Sequence, residues 1–408
     1  MPQRLINEKA ALDWLYGTQL FGMKLGLENT RKLLTALELP AQSQRVIHVA
    51  GTNGKGSVCT FMHTILKEAG VNAGLFTSPH LIQFRERIRD AERLISSAEL
   101  CAGITMIREL TLDWEPHPTF FEIALAIALD WYRQRDLPWV ILETGMGGRL
   151  DATNALTPVV SVITSIGFDH MQSLGNTLAE IAGEKAGIIK PGVPVVSAPQ
   201  EPEAMEVIQR VAAERGSPLT VVDAPLACLL GLAGPHQGWN AAVAVAALRA
   251  TGFDLPEAVI HEGLRKTEWP ARFQRLEERT ILDGAHNEPA AKVLVAAWRQ
   301  QYGDEKATII LGSSTGKDTS AVLQELRPIA KRWILTGFRS HRAVPTTAVR
   351  EKLTQLEPDA EVHEAARIAD ALEIAERFSE RRLITGSLYF AGEVLAHRHA
   401  VACEVSDQ

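Results

Sequence analysis

An α/β chain built as two units is what these 408 residues predict, and three observations carry that reading. Short apolar runs without polar alternation are separated by helix-period segments, the pattern of parallel sheets covered on both faces. A glycine-rich turn joins one such run to an amphipathic helix. A fresh strand–helix series then begins near Thr280, after a charged stretch broken by Pro270.

In chain order, the strand-like runs are "RVIHVA" (45–50), "WVILET" (139–144), "VVSVITS" (159–165) and "VPVVSA" (193–198). "TILDGA" (280–285), "ATIILG" (307–312), "RWILTG" (332–337) and "RRLITGS" (381–387) follow. After the first run, Val58, Phe61, Met62, Ile65, Leu66 and Ala69 recur at helical spacing. The alanine-rich stretch 236–252 reads as a packed helix, and "RLEER" after Pro270 ends the first series. Residues 1–270 are therefore expected to form a P-loop-type, mostly parallel sheet domain. Residues 271–408 are expected to form a smaller, Rossmann-like α/β domain.

Composition narrows the function classes. Hydrophobic content of 46% and charged content of 22% are globular values, and the net charge of −7 argues against coating nucleic acid. Cys59, Cys101, Cys228 and Cys403 lie far apart, which suits neither a zinc site nor a disulfide framework. The start lacks a signal-peptide core, and no run reaches membrane-spanning length. A soluble cytoplasmic protein without membrane or nucleic-acid partners is expected.

The turn "GTNGKGS" (51–57) has the chemistry of a phosphate cradle: close-approach glycines, a lysine, and a hydroxyl where a helix starts. Gly51, Gly54 and Gly56 allow the approach, Lys55 supplies charge and Ser57 can ligate magnesium. The spacing departs from the strict G-x-x-x-x-G-K-[ST] pattern. "GSSTGKD" (312–318) also follows a strand, but its glycines are one residue too close and Asp318 replaces the hydroxyl, so it reads as a loop, one that could lie near the site. "ETGMGGRLDA" has Leu150 where a dinucleotide fingerprint needs Gly or Ala, which disfavours a nicotinamide site.

Glu143 ends a strand of a parallel sheet, where a carboxylate is placed to hold magnesium. His170 follows another such strand; spacing alone does not choose between it and Asp169. On periodicity, Lys185 in "TLAEIAGEKAGIIKPG" reads as half of a surface ion pair with Glu184.

Nine motifs together carry a resemblance. "HVAGTNGKGSV", "TSPHL-x-x-F-x-ERI", "LETGMGGRLDATN", "SIGFDH", "IAGEKAGIIK", "HQ-x-x-NAAVAVAAL", "WPARFQ", "DGAHN" and "TGSLYFAGEV" occur in the order found in folylpolyglutamate synthases. That family includes bifunctional dihydrofolate synthases within the Mur ligase superfamily, and the resemblance spans residues 20–395. It implies ATP-dependent glutamate addition to folates through an acyl phosphate, and also conversion of dihydropteroate to dihydrofolate. It implies ATP and two magnesium ions, with dihydropteroate or reduced folates and L-glutamate as small-molecule substrates of a monomer.

Residue by residue, the resemblance implies that Thr52, Asn53, Gly54, Lys55, Gly56 and Ser57 hold the ATP phosphates. Asn240, Arg272 and Asp283 match ATP contacts across the domain junction. Ser57, Glu143, His170 and Lys185 match metal ligands, with Lys185 carbamylated. That assignment reverses the ion-pair reading of Lys185. Ser78 matches a position near the reaction centre, and His286 one that holds the incoming glutamate. Leu27, Glu28, Asn29 and Thr30, then Thr119, Phe120 and Phe121, then Leu150, Asp151 and Ala152, match segments lining the pterin side. Lys24 and Asn29 depart from the family's usual aspartate and arginine, and the chain is short before residue 234. Two rivals remain: another Mur-type amino-acid ligase, and a nucleotide-binding regulator without turnover.

Overall fold

The computed structural model describes residues 7–21, 26–40 and 43–404, so Lys24 lies outside the described residues. Its strands form two sheets. The first contains β1 (Arg45–Ala50), β2 (Ala73–Phe76), β3 (Ile88–Arg89), β4 (Trp139–Glu143), β5 (Val160–Ile163), β6 (Val195–Ser197) and β7 (Leu219–Val221), in the order β3-β2-β4-β1-β5-β6-β7. The second contains β8 (Gln274–Glu277), β9 (Thr280–Leu282), β10 (Ala307–Leu311), β11 (Ala330–Thr336), β12 (Val362–Ala365) and β13 (Arg382–Thr385), in the order β12-β11-β10-β13-β9-β8. Only the edge strands β3 and β8 run antiparallel to their neighbours. The expected α/β class holds for both sheets.

Both faces of each sheet are covered, which is why the central strands lack polar alternation. In the first sheet, Ile47 and Val49 of β1 join Val58, Phe61, Met62 and Ile65 of the helix Lys55–Glu68 in one core. Helices Pro235–Ala250 and Glu257–Lys266 pack on that same helix. Val46 faces the opposite core, shared with the helices Ser97–Leu110 and Phe120–Gln134. The second sheet is sandwiched likewise. Trp298 and Trp333 anchor one face, and Phe390 and Ile384 belong to the other.

The two units touch closely. Leu81 and Ile82, on the loop leaving β2, pack against the core that contains Phe390. A Cβ added to Gly392 would stand 1.9 Å from the Leu81 carbonyl oxygen, so helix Leu388–His399 can lie there only with glycine at that position. Glu404 completes the contact, donating its N–H to the Ile82 carbonyl at 2.8 Å and accepting the Phe84 N–H at 2.6 Å. No helix among the described residues is long and apolar enough to cross a membrane.

Candidate active site

Parallel register brings the functional loops to one edge of the first sheet. Val49 of β1 lies opposite Glu143 of β4 and Val162 of β5, so the loops after these strands emerge side by side. The turn after β1 needs glycine at two places. Gly51 has φ +152, and a Cβ there would stand 1.9 Å from Thr164 Oγ1. Gly54 has φ +89, and its Cβ would meet Asn240 Oδ1 at 2.5 Å. The turn is pinned to the loop after β5. The N–H groups of Thr52 and Asn53 both donate to the Ser165 carbonyl, at 2.9 and 3.2 Å. Thr164 Oγ1 donates to the Asn53 carbonyl at 2.7 Å. Ser57 is buried in the first helical turn, and Lys55 Nζ folds back on the carbonyls of Gly51 and Thr52 at 3.1 and 3.2 Å. Free N–H groups of a helix start beside this loop favour an anion.

Glu143 is buried and accepts the Ser78 N–H at 3.1 Å. Burial raises its carboxyl pKa against the pull of Lys55. A cavity of about 280 Å³ opens beside it, lined by Ser78, His80 and Glu143 from the first unit and by Trp269 and Arg272 at the junction. His80 is oriented by Arg87, whose Nε donates to its Nδ1 at 2.8 Å.

The ion-pair reading of Lys185 is corrected here. The Lys185 side chain is buried and donates to the Gly51 carbonyl at 2.9 Å, while Glu184 pairs instead with Arg149 at 2.8 Å. Burial, then the neighbouring Lys55 charge, push the Lys185 ammonium down to about 7. His170 has φ +49 and opens the short helix Met171–Leu174. Its Nε2 lies 3.2 Å from Lys317 Nζ, and that ammonium donates to Asp169 Oδ1 at 2.6 Å.

The second unit closes over this edge. Asn287 caps helix Glu288–Tyr302 through its carbonyl oxygen and exchanges amide hydrogen bonds with Asn53 at 3.2 and 3.3 Å. The same side-chain amide reaches Asp169 Oδ2 at 2.9 Å. His286 stands 4.0 Å from that oxygen, with Nδ1 bonded to the Gly284 carbonyl. Arg272 sits between Ala271 and Phe273, whose φ values of +56 and +46 are uncommon for such residues and belong to a strained turn. Asp283 holds that turn by accepting the N–H groups of Phe273 and Ala285 at 2.7 and 2.8 Å. Asn240 is buried against Gln237, under Gly54.

The segments matched to the pterin side also converge. Thr30 donates to Glu122 at 2.9 Å, Asn29 reaches the His117 carbonyl at 3.2 Å, and Thr119 caps the helix holding Phe120 and Phe121. Leu27 is buried and Phe120 belongs to the first core, whereas Phe121 is half-buried against Gly145. Glu28 opens its own helix, and Leu150 remains half-buried before buried Ala152. Asp151 is already satisfied within the chain: one oxygen takes the N–H groups of Gly145 and Met146, the other the N–H and hydroxyl of Thr153.

Magnesium accepts one or two protein oxygens and completes its shell with phosphate and water. Ser57 and Glu143 fit that demand. The neutral imidazole of His170, its pKa lowered to about 4 by burial and the Lys317 charge, can offer a ring nitrogen, whereas Lys185 does not fit a metal as it stands, because an ammonium donating to Gly51 offers no lone pair. No group of three or more His, Cys, Asp or Glu among the described residues makes a ready-made metal cluster. Two residues at this edge, Asn287 and Lys317, were given no role from the sequence, although they lie in the quoted segments "DGAHN" and "GSSTGKD". Their signal was available, since both follow the carboxyl ends of parallel strands in the second sheet.

Comparison with known proteins places this geometry. Residues 49–201 match the Mur ligase middle domain, and residues 271–397 match the dihydrofolate synthetase C-terminal domain. The dihydrofolate synthase/folylpolyglutamate synthase of Bacillus subtilis is 34% identical, over 94% of this chain and 97% of that relative. The Escherichia coli protein FolC, solved with DHPP and ADP, superposes with a TM-score of 0.88 at 30% identity, covering 98% of this chain and 99% of the other. A bifunctional folylpolyglutamate synthase/dihydrofolate synthase from Yersinia pestis, complexed with AMPPNP and Mn ion, gives 0.87 at 29% identity over 98% and 100% of the two chains. The chain thus belongs to the folylpolyglutamate synthase and dihydrofolate synthase family of Mur ligases.

Proposed function

We propose that this chain is an ATP-dependent ligase that adds L-glutamate to folates by amide bonds and also converts dihydropteroate to dihydrofolate. The observation that supports it most is the junction itself: Asn53 of the phosphate loop exchanges hydrogen bonds with Asn287 of the second sheet's unit. A nucleotide in the glycine turn is thereby covered by groups from both units, as transfer of a phosphoryl group away from water requires.

In this reading the γ-phosphoryl group passes from ATP to a substrate carboxylate, leaving ADP, and the glutamate amine attacks the acyl carbon, loses a proton and expels phosphate. The loop 52–57 grips phosphates, with Lys55 as the charge. Arg272, held by Asp283, faces the same crevice, and Asn240 supports Gly54. Ser57 and Glu143 would hold one magnesium; His170 and a carbamylated Lys185 would hold a second. Bound magnesium neutralises charge on the phosphoryl oxygens. Carbamylation has a physical basis here, because a lysine depressed to about 7 presents free amine near neutral pH. Ser78 and His286 border the reacting groups, and segments 27–30, 119–121 and 150–152 border the pterin. Asp151 serves that border indirectly, by fixing the turn after Glu143. The unit boundary is placed at 270/271, and the chain is read as a cytoplasmic monomer.

Purified protein assayed with ATP, magnesium and glutamate tests the reading. Phosphate release should depend on glutamate and on dihydropteroate or a reduced folate. Release driven instead by a UDP-linked muropeptide would assign another Mur-type ligase, and ATP binding without release would assign a regulator.

A further inference from the structure

The loop "GSSTGKD" after β10 is left without a role by the phosphate-loop argument, yet it delivers Lys317 across the junction to the active-site edge. Lys317 and Asp169 form an ion pair at 2.6 Å in which both side chains are only 10% exposed. The same ammonium lies 3.2 Å from Nε2 of His170, the residue proposed above as a metal ligand. A cation therefore already stands between an aspartate oxygen and an imidazole nitrogen, the two donor types a divalent ion would use there.

The loop that carries Lys317 is fixed. Ser313 Oγ pairs with Thr319 Oγ1 at 2.8 Å, and Ser314 Oγ with Ser387 Oγ at 2.7 Å. The Thr315 N–H donates to the Arg342 carbonyl at 2.7 Å, and Asp318 caps the next helix through the N–H groups of Ser320 and Ala321. Withdrawal of the ammonium is therefore a motion of the lysine stem, which is long and flexible. The other Asp169 oxygen stays occupied by Asn287 at 2.9 Å, with His286 4.0 Å away.

We propose that Lys317 is a built-in counter-ion for Asp169 and hydrogen-bond donor to His170, which a divalent metal displaces when it takes His170. The proposal rests on the reading of His170 as a metal ligand. Metal and ammonium exclude each other at Nε2, because each needs the same lone pair. Metal loading thus releases one polar tie between the units while the Asn53–Asn287 pair remains. It also frees an ammonium carried by the second unit toward the phosphate-binding edge.

Competition gives a sign that a plain ion pair does not. Full-length protein, preincubated with bicarbonate and held with saturating ADP, is titrated with Mn²⁺ while free Mn²⁺ is read by electron paramagnetic resonance. Lys317→Met should bind the His170-dependent ion about tenfold more tightly than wild type, within the usual range of coupling between sites. Lys317→Arg keeps the competing charge and should bind no more tightly than wild type; it also checks that the fold tolerates a change at this position. His170→Ala identifies the site by losing that ion. Equal or weaker Mn²⁺ binding in Lys317→Met overturns the proposal and leaves the metal reading of His170 intact. Unchanged Mn²⁺ binding in His170→Ala overturns that reading, and the proposal with it.

Discussion

Lys55 and Lys185 donate to one acceptor, the Gly51 carbonyl oxygen, at 3.1 and 2.9 Å. Two ammonium groups on one oxygen repel each other, the more so because the Lys185 side chain is buried. In the proposed reading, an incoming phosphate relieves that repulsion. Lys55→Ala should lower kcat/KM by about 10²–10³-fold, the cost of removing one charge-stabilising donor. Activity within a few-fold of wild type in a steady-state phosphate-release assay would show that the cradle lies elsewhere.

Gly54 tests the same loop through space rather than charge. A methyl group there would meet Asn240 Oδ1 at 2.5 Å, in a backbone conformation (φ +89) that only glycine adopts freely. Gly54→Ala should raise the ADP dissociation constant at least about tenfold, the equivalent of about 1.4 kcal/mol. Calorimetric titration with ADP reads the change. An unaltered constant would mean that Asn240 and the turn can both shift at little cost.

Asp151 sits in a segment matched to the pterin side, yet its oxygens are spent on four protein donors. Asp151→Asn would set an NH₂ group against some of these N–H donors. It should destabilise the protein by about 1–3 kcal/mol, the cost of buried donors left unpaired. Urea unfolding measures the loss. A mutant with wild-type stability but a raised KM for the pterin substrate would make Asp151 a ligand contact after all.

The parts of this fold that could be read from the chain are those where burial writes a continuous apolar run. β1, β4, β5, β10 and β11 are such strands, and each was visible. The edge strands were not: β8 alternates exposed and half-buried residues, β7 is largely exposed, and β3 is two residues long. β2 is only "AGLF", and its Gly74 is required because a Cβ would meet the Tyr132 ring at 2.7 Å, a tertiary fact with no local signature. The glycine turn was legible because its chemistry is local. Lys317 and Asn287 were harder, because their partners Asp169 and Asn53 lie 148 and 234 residues away. Sequence spacing carries no record of such a meeting.

Buried histidines should govern acid stability. Burial first, then Lys190, lower the His48 pKa to about 3, and burial brings His63 and His236 down to about 4. The unfolded chain takes these protons as pH falls through about 6.5, while the folded chain refuses them. Stability is therefore lost on going from neutral pH toward about 4. His48→Gln removes one such group and should flatten the dependence between pH 6 and 5 by about 1.4 kcal/mol per pH unit at most. Equal slopes for mutant and wild type in urea titrations would show that His48 protonates without opening the fold.

Lys185 gives the sharpest test of the metal chemistry. Its amine sits inside the protein with the Gly51 carbonyl as its hydrogen-bond acceptor, so truncation removes a charge and leaves space for a small molecule. Lys185→Ala should lose at least about 10²-fold in kcat, comparable to removal of one catalytic electrostatic group. If the working form is a carbamate, what is lost is a carboxylate ligand rather than an ammonium. Acetate or propionate at tens of millimolar should then restore part of the activity, whereas methylammonium should not. Rescue by the amine alone would mean that Lys185 acts as a cation, and would remove the second metal from this reading of the site. Rescue by the carboxylate alone would tie the buried lysine to metal binding, because a carboxylate supplies the oxygen donor that magnesium prefers and methylammonium offers no lone pair.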